Sequence, residues 1–227
     1  MTAPLVLISS MATRHVLAEL VDAYRRESGQ AVTLQAMGGV KAAEAVRDGA
    51  RADVVLLASK PMADLEAEGH LGAGSLTRFA RSLIALGLPE NDASPVPETV
   101  AALQALLRRA GTVGYSTGPS GDRLVALWTQ WGFDRDPTLV LTQAPAGVPV
   151  ARLIAEGTIN AGVQQLSELK NQPGVRVAGL LPEGVQLATD FVAGVASRSS
   201  QPARAQALIR WLTSPAHGSI RQRHGLL

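Results

Sequence analysis

The sequence predicts an α/β fold of two lobes built on mainly parallel sheets. Short apolar runs of strand length alternate with segments of helical apolar spacing along nearly the whole chain. Parallel strands joined by crossover helices produce that order. With 227 residues, 46% of them hydrophobic, the chain can bury a core in two lobes of about 100 residues each. The turn clusters Glu90 to Pro97 and Leu180 to Gly184 are too short to be flexible linkers between independent domains, so the lobes must share strands.

The first apolar run, Leu5 to Ile8, reads as a buried parallel strand, continuous rather than alternating because both of its faces are covered. Val16, Leu17, Leu20, Val21 and Tyr24 follow at helical spacing, and Ser28-Gly29 ends that helix. A strand over Ala31 to Gln35 leads through Gly38-Gly39 into a helix with Val40, Ala43 and Val46 on its apolar side, ending near Gly49. Asp53 to Leu57 is the third strand. The alternation continues through Ser82 to Leu88, Thr99 to Arg109, Thr112 to Tyr115, Asp122 to Trp131, Leu139 to Leu141, Pro149 to Glu156, Ile159 to Gln164 and Val175 to Ala178. No internal repeat or low-complexity tract interrupts it.

Composition removes several function classes. Lys and Arg total 21 against 19 Asp and Glu, and no basic run forms a stripe, so nucleic acid is not an expected partner. The chain has no Cys, which excludes disulfides, Cys-ligated zinc, iron–sulfur clusters and thiol catalysis. The apolar stretch within Pro4 to Ser10 is too short for a signal peptide or a membrane span, and membrane insertion is not expected. The chain as given is expected in the cytoplasm, or in the periplasm if an export signal has been removed.

In parallel α/β sheets, ligands bind beyond the carboxyl ends of the strands, so the residues that follow each strand carry the functional signal. Ser9-Ser10-Met11 runs straight from the first strand into a helix, where hydroxyls and free N–H groups can face an anion; Ser at such a place is most often only an N-cap. Tyr115-Ser116-Thr117-Gly118-Pro119-Ser120-Gly121 combines hydroxyl donors, a helix start and two Gly that permit close backbone approach, an anion cradle on chemical grounds. It is neither a Walker loop nor a dinucleotide fingerprint. In Gly38-Gly39-Val40-Lys41 a cation sits as the second residue of a helix, against the preference for acidic groups in a first turn, a conflict that an anionic ligand removes. Ser59, Arg81 (just before a strand) and Gln164-Gln165 (just after one) complete the candidate ligand-binding set of Ser9, Ser10, Met11, Gly39, Lys41, Ser59, Arg81, Tyr115, Ser116, Gly118, Ser120, Gly121, Gln164 and Gln165.

Catalytic and metal signatures are absent from the sequence. The four His, at 15, 70, 217 and 224, lack paired ligand spacing, there is no HExxH, and no GxSxG elbow occurs. Asp53, Glu168 and Asp190 read as caps or internal hydrogen-bond partners rather than as a general acid and base. No metal and no cofactor is expected.

The run of motifs Gly-Ala-Arg-Ala-Asp-Val-Val-Leu-Leu-Ala-Ser (49 to 59), Arg-Ser-Leu-Ile-Ala-Leu (81 to 86), Val-Gly-Tyr-Ser-Thr-Gly-Pro-Ser-Gly (113 to 121) and Ala-Gly-Val-Gln-Gln-Leu-Ser-Glu-Leu (161 to 169) resembles the molybdate-binding-protein-like branch of the type 2 periplasmic solute-binding proteins. That branch includes aconitate-isomerase-like members. The resemblance implies a two-lobed fold with two crossing hinge segments, lobe 1 being 1–80 plus 190–227 and lobe 2 being 81–189, closing a cleft around a small anion. It also implies that molybdate binders place a neutral hydroxyl at the start of the second helix and a Tyr after the strand that here ends at Val163. This chain has Gly39-Val40-Lys41 and Gln164-Gln165 at those places.

Three functions follow from these expectations. The first is a solute-binding protein that captures a small di- or tricarboxylate, with an ABC transporter as partner if the chain is exported. The second is an isomerase of the aconitate isomerase kind, shifting a double bond in a small carboxylic acid by proton transfer, with Lys41, Tyr115 or a nearby carboxylate as relay and no catalytic base identified. The third is binding of molybdate or another oxyanion.

Overall fold

A computed structural model describes residues 3–227, the side chain of Pro119 excepted. The chain forms two compact units, the first made of residues up to Arg81 together with Thr189–Leu227, the second of Ser82–Ala188.

In the first unit the chain runs β1 (Leu5–Ser10), a 3-10 turn (Met11–Thr13), α1 (Arg14–Ser28), β2 (Val32–Met37), α2 (Gly39–Arg47), β3 (Val54–Ala58), α3 (Ser59–Ala67) and the first part of β4 (Thr77–Pro89). The second unit continues with α4 (Val100–Ala110), β5 (Thr112–Tyr115), α5 (Pro119–Gln130), β6 (Val140–Gln143), α6 (Val150–Ala155), β7 (Ala161–Gln165), α7 (Leu166–Leu169) and β8 (Val175–Leu180). β9 (Ala188–Val195) returns the chain to the first unit, which α8 (Pro202–Thr213) and α9 (Gly218–Arg223) finish.

The sheet of the first unit has the order β2-β1-β3-β9, with β1 parallel to β2 and β3, and β9 antiparallel to β3. Every residue of β1 is buried, because helices cover both faces. Leu5, Leu7, Val54 and Leu56 pack against Val16, Leu17 and Leu20 of α1 and Leu208, Ile209 and Leu212 of α8. On the opposite face Ile8, Val55 and Leu57 meet Ala42, Ala43 and Val46 of α2 and Met62 and Leu65 of α3. Truncating one such fully buried Leu to Ala typically costs about 2–5 kcal/mol. Asp53, 3% exposed, accepts from the Val6 N–H at 2.9 Å and from the Ser199 hydroxyl, so it ties β1 to the loop before α8. Its role is the internal hydrogen bonding that the sequence predicts.

In the second unit β5 is parallel to β6 and β7, β7 is antiparallel to β4, and β8 is antiparallel to β4. Ile84, Leu86, Val113, Ala161 and Val163 face Leu103, Leu106 and Leu107 of α4 and Leu124 and Trp128 of α5. Ala85 on the other face meets Val150, Ala151, Leu153 and Ile154 of α6. Gly114 and Gly162, on adjacent strands, leave the room this packing needs: a Cβ on Gly162 would lie 2.4 Å from Val150 Cγ1.

Three expectations need correction. β4 begins at Thr77, so Arg81 lies inside a strand rather than before one; its first residues are partly exposed, which hides the apolar run. Gln164 and Gln165 are the last residues of β7 rather than part of the following turn, held there by pairing with Ala85 and Ile84 of β4. β9 was not among the expected strands; of its first residues, Ala188, Thr189 and Asp190 are only half-buried, and this breaks its apolar run.

Candidate functional site

Each unit gathers polar, small-residue turns at the carboxyl ends of its parallel strands. In the first unit β1 is central, with Ser10 in register with Met37 of β2 and Ser9 with Leu56 of β3, so the turns after these three strands are neighbours. Side chains alternate along a strand: Leu5 and Leu7 face α1, so Ser9 does too, whereas Ile8 faces α2 and so does Ser10. A Cβ on Gly39 would sit 4.0 Å from Ser10 Cβ, which puts the start of α2 beside Ser10. The Ser9 hydroxyl donates to its neighbour's carbonyl, Ser10 O, at 3.3 Å, and Ser10 Oγ lies 3.5 Å from Thr13 Oγ1. Ser10 makes no side-chain cap bond, so the N-cap alternative is not realised; Met11 opens the 3-10 turn and is half-buried.

The helices that follow β2 and β3 begin without side-chain caps. α2 starts after Gly38 and α3, whose first residue is the exposed Ser59, after Ala58, and neither has an acidic group in its first turn. Their leading N–H groups and the positive end of each helix are therefore available to an anion. Contrast α4 of the second unit, whose Thr99 hydroxyl accepts the Ala102 N–H at 3.1 Å. Lys41 is the third residue of α2 rather than the second, exposed, and among the described residues takes part in no ion pair, whereas Lys60 of α3 is bonded to Asp64 at 2.8 Å.

In the second unit β5 ends at Tyr115, whose half-buried ring stands edge-on to Trp128 with centroids 5.3 Å apart. Ser116 and Thr117 lead to Gly118, which takes φ +89°, a conformation suited to Gly, and α5 again starts without a side-chain cap. The turn folds so tightly onto the helix start that a Cβ on Gly121 would lie 1.9 Å from the Ser116 carbonyl oxygen. Ser116 and Ser120 are both half-buried there.

The end of β7 lies beside this turn, since β5 and β7 pair. Gln164 Oε1 accepts the Val150 N–H at 3.0 Å and so anchors the start of α6, a positioning role that a period-two reading of the strand could have found. Gln165 is on the other face. Arg81 differs most from its expected role: its Nε and Nη2 donate to the two carboxylate oxygens of Asp190 at 2.8 Å each, with Arg78 a further 3.3 Å from the same carboxylate. These bonds hold the Asp190 carboxyl below the usual carboxylate range and raise Arg81 in turn. Among the described residues no group of His, Asp and Glu converges to hold a metal ion, and no helix is long and apolar enough to cross a membrane.

Two α/β units linked by two chain crossings, with ligand-ready turns at the carboxyl ends of their parallel strands, define the periplasmic-binding-protein architecture. The chain belongs to the family of bacterial extracellular solute-binding proteins, whose pattern it matches over residues 5–227. It is 30% identical over 216 residues to an aconitate isomerase from a Pseudomonas species, spanning 92% of this chain and 82% of that protein. Among solved structures it is similar to the periplasmic molybdate-binding protein of Azotobacter vinelandii (17% identity, TM-score 0.81, 98% of each chain covered). It is also similar to a tungstate-binding protein from Desulfovibrio alaskensis (17% identity, TM-score 0.65, 94% and 92% covered). At these identities the structural likeness is one of fold.

Proposed function

We propose that this chain captures a small di- or tricarboxylate with donors from the strand-end turns. The observation that carries the proposal is the start of α2, where the helix has no side-chain cap and no acidic residue in its first turn, Gly39 lies beside Ser10, and Lys41 in that first turn has no ion-pair partner among the described residues. The aconitate isomerase relative supports a carboxylate over an inorganic oxyanion. Arg81 is left out of the proposed donor set, because Asp190 already occupies the face of the guanidinium that would grip a carboxylate. Export to the periplasm and delivery to an ABC transporter belong with this binding role, in keeping with the family. The test is a calorimetric and thermal-shift screen of citrate, aconitate, malate and succinate beside molybdate, tungstate and sulfate. Carboxylates should bind and stabilise; a response to molybdate or tungstate alone overturns the proposal in favour of oxyanion binding.

A second reading is favoured by the same relative: a bound unsaturated acid undergoes a double-bond shift. A proton leaves the allylic carbon, the electron pair moves through the double bond, and a proton returns to the far carbon, with Lys41 or Tyr115 as relay and the turn N–H groups steadying the enolate-like charge. Incubation of aconitate with the protein in deuterated water, followed by NMR, checks it: migration with deuterium incorporation supports turnover, and tight binding without exchange leaves the binding role alone.

A further inference from the structure

The buried end of β7 holds an acceptor with nothing to accept. Gln165 is 7% exposed, its Oε1 is buried, and that atom has no hydrogen-bond partner among the described residues. The other buried side-chain atom in this condition, Gln201 Nε2, belongs to an amide that is bonded through its oxygen to Arg204; the Gln165 side chain has no bond of its own among the described residues. Leaving a buried polar group unmade is costly, and a strand-end position could have been filled by an apolar residue at no such cost.

Alternation along β7 says where this amide points. Gly162 and Gln164 face α6, the first by its contacts with Val150 and Ile154 and the second by its bond to the Val150 N–H. Ala161 and Val163 face α5 with Leu124 and Trp128, and Gln165 is next on that side. Val163 is in register with Tyr115, the last residue of β5, so Gln165 reaches one step past it, to the level of the Ser116 to Gly121 turn and the open start of α5. The start of α5, which has no side-chain cap and carries Asp122 in its first turn, offers backbone donors, and the amide oxygen of Gln165 offers an acceptor, at the carboxyl ends of neighbouring strands.

We infer that the ligand carries a hydroxyl group as well as carboxylates, and that Gln165 Oε1 accepts the hydroxyl proton while the turn at α5 donates to a carboxylate. This rests on the carboxylate reading above and narrows it to hydroxy acids. Fully ionised tetrahedral oxyanions present acceptors only and cannot satisfy that oxygen. A site built to bond a substrate hydroxyl rejects the analogue lacking it far more strongly than a site built on apolar contacts does, because its own polar group is then left unpaired.

Two matched pairs test it by calorimetry: citrate against tricarballylate, and L-malate against succinate, each differing by one hydroxyl. The hydroxy acid of at least one pair should bind about 10- to 100-fold tighter, the effect of one satisfied buried acceptor. In Gln165→Met, of similar volume but with no acceptor, that ratio should fall to near one. Should the variant not fold, the wild-type ratios decide alone. Equal affinities within both pairs overturn the inference while leaving carboxylate binding intact; they would mean that the amide meets the ligand with its NH2 end or that water serves its oxygen. Failure of every acid to bind overturns the carboxylate reading and this inference together.

Discussion

Lys41 and Gln165 mark two ways in which a side chain can be held at a cost to the apo protein. Lys41 places a cation where the helix already presents positive partial charge, worth about 0.3–1 kcal/mol against it at an exposed site. Lys41→Ala should therefore leave thermal stability unchanged or slightly raised, while affinity for the best carboxylate falls about 10- to 150-fold, the worth of one hydrogen bond to a charged group. Calorimetric titration of variant and parent checks both halves, and unchanged affinity would return Lys41 to the solvated surface. Gln165→Met should raise apo stability by about 1–3 kcal/mol, because an apolar side chain removes the unpaired buried acceptor. Denaturant unfolding of the apo forms reads this directly, and a less stable variant would mean that the amide is bonded in solution. Asp190 works in the opposite sense. Its carboxyl ordinarily titrates near 3.8 and is lowered here by the bond from Arg81, so its contribution is present above that value and is lost as pH falls through the lower, folded one. Asp190→Asn should flatten the acid limb of the stability curve below about pH 4; an unaltered limb would show that the pair, open to solvent on both sides, is screened to insignificance.

The elements differ in how far local chemistry decided them. The body and the end of α1 were legible, since Val16 to Tyr24 has helical spacing and Gly29 closes it with φ +69°; its start was not, because the 3-10 turn Met11–Thr13 intervenes after β1. The parallel strands β1 and β3 were legible because burial on both faces turns them into unbroken apolar runs. The crossing strands were not: β4 and β9 each begin with partly exposed residues such as Thr77, Arg78, Thr189 and Asp190, and nothing local says that these extend a strand. At the candidate site the Ser, Gly and Lys of the turns announced themselves, but the fates of Arg81 and Gln164 did not. Each is fixed by a partner distant in sequence or on another element, Asp190 109 residues away and the Val150 N–H at the head of α6. The turn before α5 gives an element-scale prediction. Gly121→Ala would drive a Cβ into the Ser116 carbonyl, so the turn must shift, and ligand affinity should fall with that shift. Thr99→Ala, which removes the α4 cap, should instead lower stability by about 1 kcal/mol and leave affinity unchanged. A loss of affinity in the Thr99 variant equal to that in the Gly121 variant would mean that general destabilisation, and not the turn, is responsible.

For the molecule as a whole, ligand binding and stability are linked. A carboxylate at a hundredfold excess over its Kd should add about 2.7 kcal/mol, which raises the melting temperature by roughly 5–10 °C for a chain of this size. The first unit is assembled from two stretches of chain, and its closing contacts are the longest in sequence: Glu19 with His224 across 205 positions, Glu27 with Trp211 across 184. Leu227 completes it by exchanging two backbone hydrogen bonds with Arg81, at 2.7 and 2.8 Å. During synthesis on the ribosome, then, the second unit has all its residues in hand while the first still lacks β9 and α8. The apolar strands β1 and β3 emerge early and must wait, one face only partly covered by α1, until α8 has left the exit tunnel.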